Sequence, residues 1–149
     1  MVNGTPTLAG YLAAHLNRLN EGDYFALLAY IEMNEAHERV LQEIRQGIRD
    51  VSRVATCLEF GPRFLHSTGQ AYKGGPNTGV FLQITCDDAI DLPVPGRKYT
   101  FGVVKAAQAR GDFDVLVERD SPRAAPASRR QCGWWPNHAS GRPPGGTGS

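Results

Sequence analysis

The stretch Tyr24-Phe-Ala-Leu-Leu-Ala-Tyr-Ile31 is an unbroken run of apolar residues with the length of a β-strand. A run without polar alternation predicts a strand that is covered on both faces, as in a parallel sheet. Apolar and β-branched residues predict further strands at 53–60, 79–86 and 113–117. We therefore expect these four segments to form one parallel sheet.

Amphipathic segments alternate with these predicted strands. Apolar residues at helical spacing predict a helix over 7–19, and Asn34 is a natural N-cap for a second helix. A short helical piece is predicted within 61–79, and a further helix over 100–110, ended by Gly111. The resulting order αβαβαβαβ predicts an α/β fold in three layers, with the sheet between helices. Since four strands are few for a complete doubly wound sheet, residues 1–119 are predicted to be part of a larger domain.

The last 29 residues differ sharply in composition from the rest. They contain five Pro, five Gly and four Arg, and no Leu, Ile, Val or Phe. Such a segment cannot bury a core, so residues 120–149 are predicted to be a disordered tail. The composition is also what GC-rich DNA encodes in an unintended reading frame. A frameshifted end and a genuine linker-like tail are the two interpretations.

Charge and cysteine content exclude several classes of protein. The chain of 149 residues has 16 Lys and Arg against 15 Asp and Glu, a net charge of +1. This balance argues against a dedicated nucleic-acid binder or a polybasic membrane protein. Three widely spaced cysteines do not form a disulfide framework or a metal-binding pair. No apolar run is long enough for a membrane helix, and we expect a cytoplasmic protein.

The segment between the second and third predicted strands, GPRFLHSTGQAYKGGPNTG at 61–79, concentrates Gly, polar residues, a His and a Lys. It follows the carboxyl end of a strand, where α/β proteins bind ligands. Lys73 supplies a positive charge there. The segment is not a phosphate-binding P-loop, because Gly74 stands where that motif requires Ser or Thr. It is therefore the predicted site, although Lys73 could also be an ordinary surface lysine.

The run from Arg53 to Phe113, especially GPRFLHSTGQAYKGGPNTGVFLQIT and KYTFGVVKAAQARGDF, resembles the C-terminal end of glucose-6-phosphate isomerases. The form it resembles most is the isomerase part of the bifunctional transaldolase/glucose-6-phosphate isomerases. The upstream stretch GDYFALLAYIEMNEAHERVLQEI fits the same family, so the resemblance covers roughly residues 7–119. It implies the sugar-isomerase (SIS) fold, a parallel sheet between helices.

The resemblance also implies roles for individual residues. The common family form has an aromatic residue, a Gln, and a Glu three residues before a catalytic Lys. When Lys73 is placed on that Lys, Phe64 matches the aromatic residue, His66 replaces the Gln and Gln70 replaces the Glu. Lys73 and His66 are then the expected catalytic residues. The expected substrate-binding residues are Gln70, Ser67, Thr68 and Arg63.

The implied reaction is the interconversion of glucose 6-phosphate and fructose 6-phosphate through a cis-enediol, with no cofactor and no metal. It requires a carboxylate base and a positive charge near the developing oxyanion. The family's Glu base, ring-opening His and phosphate loop, like a transaldolase's Schiff-base Lys, lie upstream of the matched region. We therefore expect a sugar phosphate as substrate, the missing upstream half as partner, a possible homo-oligomer, and little turnover by this chain alone.

Other interpretations remain open at this point. The chain could be a non-catalytic sugar-phosphate-binding module, or its Arg-rich tail could bind acidic partners. Ser67 could cap a helix rather than bind substrate. Glu32, at a strand end, is a possible site residue, whereas Asp87 and Asp88 suit turn chemistry better than a metal site because no third ligand is suitably spaced. His15, on a predicted helix, is expected to be exposed or half-buried.

Overall fold

The sheet consists of parallel strands in the order β2-β1-β3-β4. They are β1 (Tyr24–Tyr30), β2 (Ala55–Phe60), β3 (Gly79–Thr85) and β4 (Ala124–Ala127). The computed structural model describes residues 7–118 and the backbone of 124–127. Tyr24 of β1 pairs with Ala55 on one side and Gly79 on the other. The apolar run that predicted the fold is thus an inner strand, paired on both edges.

Helices cover both faces of the sheet. On one face lie α1 (Leu8–Leu16) and α2 (Glu35–Ser52), and on the other lie α3 (Thr68–Gly74) and α4 (Phe101–Glu118). Alternate residues of β1 point to opposite faces. Phe25 and Leu27 join the core under α1 and α2, while Leu28 and Tyr30 join the core under α3 and α4. This is the predicted α/β arrangement of three layers.

Local signals explain where α2 begins and ends. The Asn34 side chain accepts a hydrogen bond from the backbone N–H of His37 at 2.8 Å, as an N-cap does. Glu35 and Glu38 lie in the first turn, near the positive end of the helix dipole. The helix ends at Arg53, whose φ of 60° is left-handed. The N-cap predicted from Asn34 is therefore confirmed.

The predictions for residues 111–117, a helix end followed by a strand, are both wrong. Gly111 does not end a helix, and residues 113–117 are not a strand, because α4 continues through both. Its buried residues Ala109, Asp112 and Leu116 recur at spacings of three and four, so burial of one helix face outweighs the local signals. The fourth strand is instead β4.

The strand β4 lies within the segment predicted to be a disordered tail. It pairs in parallel with β3, with Phe81 opposite Ala124. That prediction does not hold for these four residues, and the rest of 120–149 lies outside the described residues. Within the described part of the chain, none of the helices combines the length and apolar character that a membrane crossing requires.

Candidate functional site

The strand order fixes where a ligand site can form. β2 lies beside one edge of β1, and the later strands β3 and β4 lie beyond its other edge, so the strand order reverses at β1. In open α/β sheets, the crevice at the carboxyl ends of the strands on either side of such a reversal is the usual ligand site. Here that crevice lies beyond Tyr30 of β1 and Thr85 of β3.

The segment predicted to hold the site forms two short helical pieces. A 3₁₀ turn spans Arg63–His66, and α3 follows after Ser67. Ser67 has φ −130° and ψ −109°, which is not helical, so the two pieces are not one helix. The two-turn spacing that would place His66 and Lys73 on one helical face therefore does not apply. Gln70 and Lys73, three residues apart in α3, are neighbours on its surface.

Most of the predicted substrate-binding residues lie in solvent. Exposed side chains belong to Arg63, His66, Ser67, Thr68 and Gln70. Ser67 stands at the N-cap position of α3, but its Oγ donates to the Phe64 carbonyl at 3.3 Å and makes no capping hydrogen bond. Gln70 Nε2 donates back to the Leu65 carbonyl at 2.6 Å.

Two other residues near the predicted site are also engaged locally. Arg63 Nη1 lies 2.9 Å from Met33 Sδ. Glu32, one residue beyond Ile31, is exposed, and its backbone carbonyl lies 2.7 Å from His37 Nδ1. Both residues are therefore held by contacts between neighbouring loops and turns.

Of the predicted site residues, Lys73 has a buried, charged partner. Its Nζ lies 2.5 Å from Asp112 Oδ1, and the lysine side chain is 22% exposed whereas the Asp112 side chain is 1% exposed. Tyr30 donates its hydroxyl hydrogen to Asp112 Oδ2 at 3.2 Å. These three residues, the Lys73 cluster, join α3, α4 and the end of β1.

In the Lys73 cluster, a buried negative charge lies between a positive charge and a hydrogen-bond donor. An ionised carboxylate accepts hydrogen bonds on both oxygens, and here one oxygen faces an ammonium and the other a phenol. Burial raises the pKa of Tyr30, and the nearby charge of Asp112 raises it further. The phenol therefore stays a proton donor to Asp112 at any pH near neutrality. The arrangement holds one cation at a defined position.

A cleft of about 780 Å³, here called the α4 cleft, opens beside this cluster. Tyr30 borders it, so the cleft and the Lys73 cluster share one side chain. Its floor is formed by Gln83 and Thr85 of β3, and its wall by α4 and the loop after β3. The remaining lining residues are Cys86, Asp87, Asp88, Asp91, Gly102, Val103, Lys105, Ala106, Ala109, Arg110 and Phe113.

The charged groups of the α4 cleft are already partnered. Lys105 forms an ion pair with Asp88. Arg110 Nε lies 2.8 Å from both carboxylate oxygens of Asp114. Asp91 accepts from the Thr100 hydroxyl at 2.5 Å and from the Gly102 N–H at 2.8 Å, which holds the start of α4. These hydrogen bonds hold the pKa of the Asp91 carboxyl below its ordinary value.

A metal site is not formed in the part of the chain that the structure describes. No group of three or more His, Cys, Asp or Glu side chains there is placed to hold a metal ion. Asp88 is engaged with Lys105 instead. The acidic residues after β3 therefore serve ion pairing and the start of α4.

Sequence reasoning missed Asp112, Tyr30 and Gln83. Asp112 lies between the predicted helix at 100–110 and the predicted strand at 113–117. Tyr30 lies within the apolar run that predicted the first strand. The spacing of Ala109, Asp112 and Leu116 could have indicated a buried aspartate, since an acid on an apolar helix face needs a partner. Nothing in the sequence alone indicates that the partner is Lys73.

Comparisons with known proteins bear on the fold. No family model matches the sequence, and no curated protein matches it either. The crystal structure of a hypothetical protein, TT0462 from Thermus thermophilus, is similar, with a TM-score of 0.60 at 14% sequence identity. The match covers 78% of this chain and 31% of that one, so this chain spans about a third of the length of the similar protein. At this identity, the likeness shows a shared fold.

Proposed function

We propose that this chain is the C-terminal part of a cytoplasmic glucose-6-phosphate isomerase. In this proposal an upstream half supplies the carboxylate base and the phosphate loop, and the chain alone has little or no turnover. The observation that carries the proposal is the Lys73 cluster. The lysine that the resemblance makes catalytic is partly buried and held by a carboxylate that is itself 1% exposed.

Lys73 suits one part of the proposed reaction. Moving a proton between C2 and C1 of the open sugar places negative charge on an oxygen in the transition state. A fixed ammonium near that oxygen stabilises the charge without reorganising, and a low-dielectric cleft strengthens the effect. Asp112 fixes the position of Nζ, and the Tyr30 hydroxyl fixes Asp112. Asp112 and Tyr30 are positioning residues in this scheme.

The alternative is a non-catalytic sugar-phosphate-binding module. It is favoured by the state of Asp112, the carboxylate in contact with Lys73. Its side chain is almost fully buried, Oδ2 accepts from the Tyr30 hydroxyl, and Oδ1 lies in ion-pair contact with Lys73 without a hydrogen bond among the described residues, so Asp112 is not placed to take a proton from a substrate. In the catalytic proposal that base comes from the upstream half. Active sites of this family are often completed across subunits.

An assay with the missing half supplied in trans tests the proposal. The chain is combined with the amino-terminal half of a glucose-6-phosphate isomerase, and kcat and KM are measured for fructose 6-phosphate. Replacing Lys73 by Ala should lower kcat by about 100-fold or more with little change in KM, as expected for a group that acts on the transition state. Lys98→Ala, at an exposed loop position, is the matched control.

Solvent exchange separates the two candidate functions. An isomerase that forms an enediol exchanges the sugar's C1 or C2 proton with deuterated water, which NMR detects, whereas a binding module does not. Lys73→Arg keeps the charge and the contact with Asp112, so it guards against loss of folding in the alanine variant. Unchanged turnover in Lys73→Ala would remove Lys73 from the mechanism. Sugar-phosphate binding without exchange would favour the binding module.

A further inference from the structure

Strand β2 lies at one end of the sheet, and in the part of the chain that the structure describes no further strand pairs with its outer edge. It pairs with β1 in continuous register from Ala55 to Phe60, without a bulge. It contains neither Pro nor Lys, whereas β4 at the opposite end of the sheet contains Pro126. Bulges, prolines and lysines are common devices that keep an edge strand from pairing with another chain. The outer edge of β2 therefore lacks these protections.

The main-chain groups at this edge belong to alternate residues of β2. The N–H of Gly61, which follows the strand, donates to a carbonyl of β1 at 2.9 Å. Successive residues of a strand direct their N–H and C=O groups to opposite sides, so Thr56, Leu58 and Phe60 direct theirs away from β1. In agreement, the Thr56 carbonyl accepts a hydrogen bond from Arg45 Nη1 of α2 at 3.3 Å. The outer edge thus presents a regular row of donors and acceptors.

A second copy of the same strand fits this row in antiparallel orientation. A twofold axis at Leu58 places Leu58 opposite its own copy and Thr56 opposite Phe60, so the outward groups of the two strands pair with each other. On the sheet face that carries α2, the side chains that meet are then Thr, Leu and Phe. On the other face, Cys57 lies opposite Glu59 of the second copy. This register brings no like charges together.

The charges of α2 beside this edge suit the same arrangement. Arg45 marks the side of the helix nearest the edge, because its guanidinium reaches Thr56. Glu38 and Arg49 lie on that side too, two turns before and one turn after Arg45. Arg49 contacts Asp50 in an exposed pair, which is weak enough to exchange partners. An antiparallel second copy therefore brings the acidic start of one α2 beside the basic end of the other.

We propose that the outer edge of β2 is the interface of a homodimer, in which two β2 strands pair antiparallel about Leu58 and join two four-stranded sheets into one. Main-chain pairing alone would accept any extended segment. The side-chain register and the charges of α2, however, match the chain's own sequence, and this selects a second copy as the partner. The inference does not depend on the chain being part of an isomerase.

Sedimentation of the full chain at increasing concentration tests the interface, and a reversible dimer is expected. Leu58→Lys places two like charges opposite each other at the twofold axis and should raise the dimer's Kd by about tenfold or more. Leu92→Lys, the same change at a loop residue that is 60% exposed, should dimerise as the unaltered chain does. A chain that stays monomeric at its highest soluble concentration would overturn the proposal and leave the edge to a strand of another protein. A dimer that Leu58→Lys leaves unchanged would also overturn it.

A cross-link tests the register and remains informative if Leu58→Lys does not fold. Glu59→Cys introduces a thiol opposite Cys57 of the second copy, at a pair of facing residues that can form a disulfide. Air oxidation of this variant should give a covalent dimer on a non-reducing gel. Adding Cys57→Ser removes the partner thiol and should abolish the cross-link. No covalent dimer in Glu59→Cys, or one that persists after Cys57→Ser is added, would overturn pairing about Leu58.

Discussion

Lys73 Nζ and Asp112 Oδ1 form an ion pair at 2.5 Å whose two members differ greatly in exposure. The carboxylate is 1% exposed, whereas the lysine side chain is 22% exposed and reaches water. Removing the lysine leaves a buried negative charge whose remaining partner among the described residues is the Tyr30 hydroxyl, while removing the aspartate leaves a lysine that water can still solvate. The pair is therefore asymmetric, and the two members are not equivalent targets for substitution.

The Lys73→Met variant should lose about 3 kcal/mol of unfolding free energy, because an uncompensated buried carboxylate remains. The Asp112→Asn variant should lose less, since Lys73 is partly solvated. Urea unfolding at neutral pH measures both. Asp114→Asn, which breaks the exposed pair with Arg110, is the control and should cost much less, because water screens both partners.

The double variant Lys73→Met, Asp112→Leu completes this test. It removes both charges, and most of the stability lost in Lys73→Met should return, because an apolar pair replaces a buried ion pair at little net cost. A Lys73→Met variant that costs no more than Asp114→Asn would contradict the buried pair.

Replacing Gly111 by Ala should raise the unfolding free energy by about 0.5–1 kcal/mol. Gly111 lies inside α4, where glycine is less favourable than alanine, and a Cβ there would meet no atom within 4 Å. Gly47→Ala, at an equally open position of α2, should give a gain of the same sign. Thermal unfolding followed by circular dichroism measures both. Destabilisation confined to Gly111→Ala would instead support the helix break predicted from sequence.

The predictable part of the fold lies where burial and periodicity agree. The run at 24–31 is apolar on both strand faces, and it forms an inner strand, with a neighbour on each side. The stripe of α2 and its Asn34 cap are equally local signals. In α4, by contrast, Gly111 and the β-branched residues after it favour a break and a strand. Only packing of Ala109 and Leu116 against the sheet reverses that preference, and packing is not visible in a local window.

The site was predictable in part for a similar reason. The resemblance singled out Lys73, and the structure gives this residue a defined charged partner. The partner lies on a different helix, and its identity depends on how α3 and α4 pack over the sheet. His66 and Lys73, seven residues apart, would share one helix face if the stretch between them were a single helix. The backbone of Ser67 lies outside the helical region, so it is not. Exposed residues such as Thr68 gain no structural support as binding groups.

Stability should fall as the pH is lowered from 7 to 5, and His15 should account for part of that fall. His15, expected from sequence to be exposed or half-buried, is 3% exposed, and its Nε2 lies 3.0 Å from the Phe81 carbonyl. Burial lowers its pKa below the ordinary 6.5. The unfolded chain therefore binds a proton first as pH falls through 6.5, and stability is lost between that value and the lowered pKa.

The His15→Gln variant keeps a donor for the Phe81 carbonyl but does not titrate. Its thermal midpoint should change less between pH 7 and 5 than that of the unaltered chain. His66→Gln, the same substitution at an exposed position, is the matched control. Equal pH dependence in His15→Gln and the unaltered chain would show that His15 is not the titrating group.

Gly61 lies against the Tyr30 ring, and its replacement should disturb the Lys73 cluster without substituting any of its members. A Cβ at Gly61 would lie 2.5 Å from Tyr30 Cε1, so an alanine there must displace the ring. We expect a cost of about 1–3 kcal/mol, as for an overpacked core, and a longer path from the Tyr30 hydroxyl to Asp112. Gly74→Ala, which meets nothing within 4 Å, is the control.

The Tyr30 titration reports this displacement directly. Burial and Asp112 raise the pKa of Tyr30 above the ordinary 10.0, so its ring carbon resonance should not shift in the unaltered chain at a pH where exposed tyrosines ionise. In Gly61→Ala the displaced phenol should ionise closer to 10, because it loses both burial and its contact with the carboxylate. If Asp112 depends on that phenol to hold Lys73, the same variant should also lower kcat in the reconstituted isomerase assay. A Tyr30 resonance that titrates as in the unaltered chain would show that the ring is not displaced.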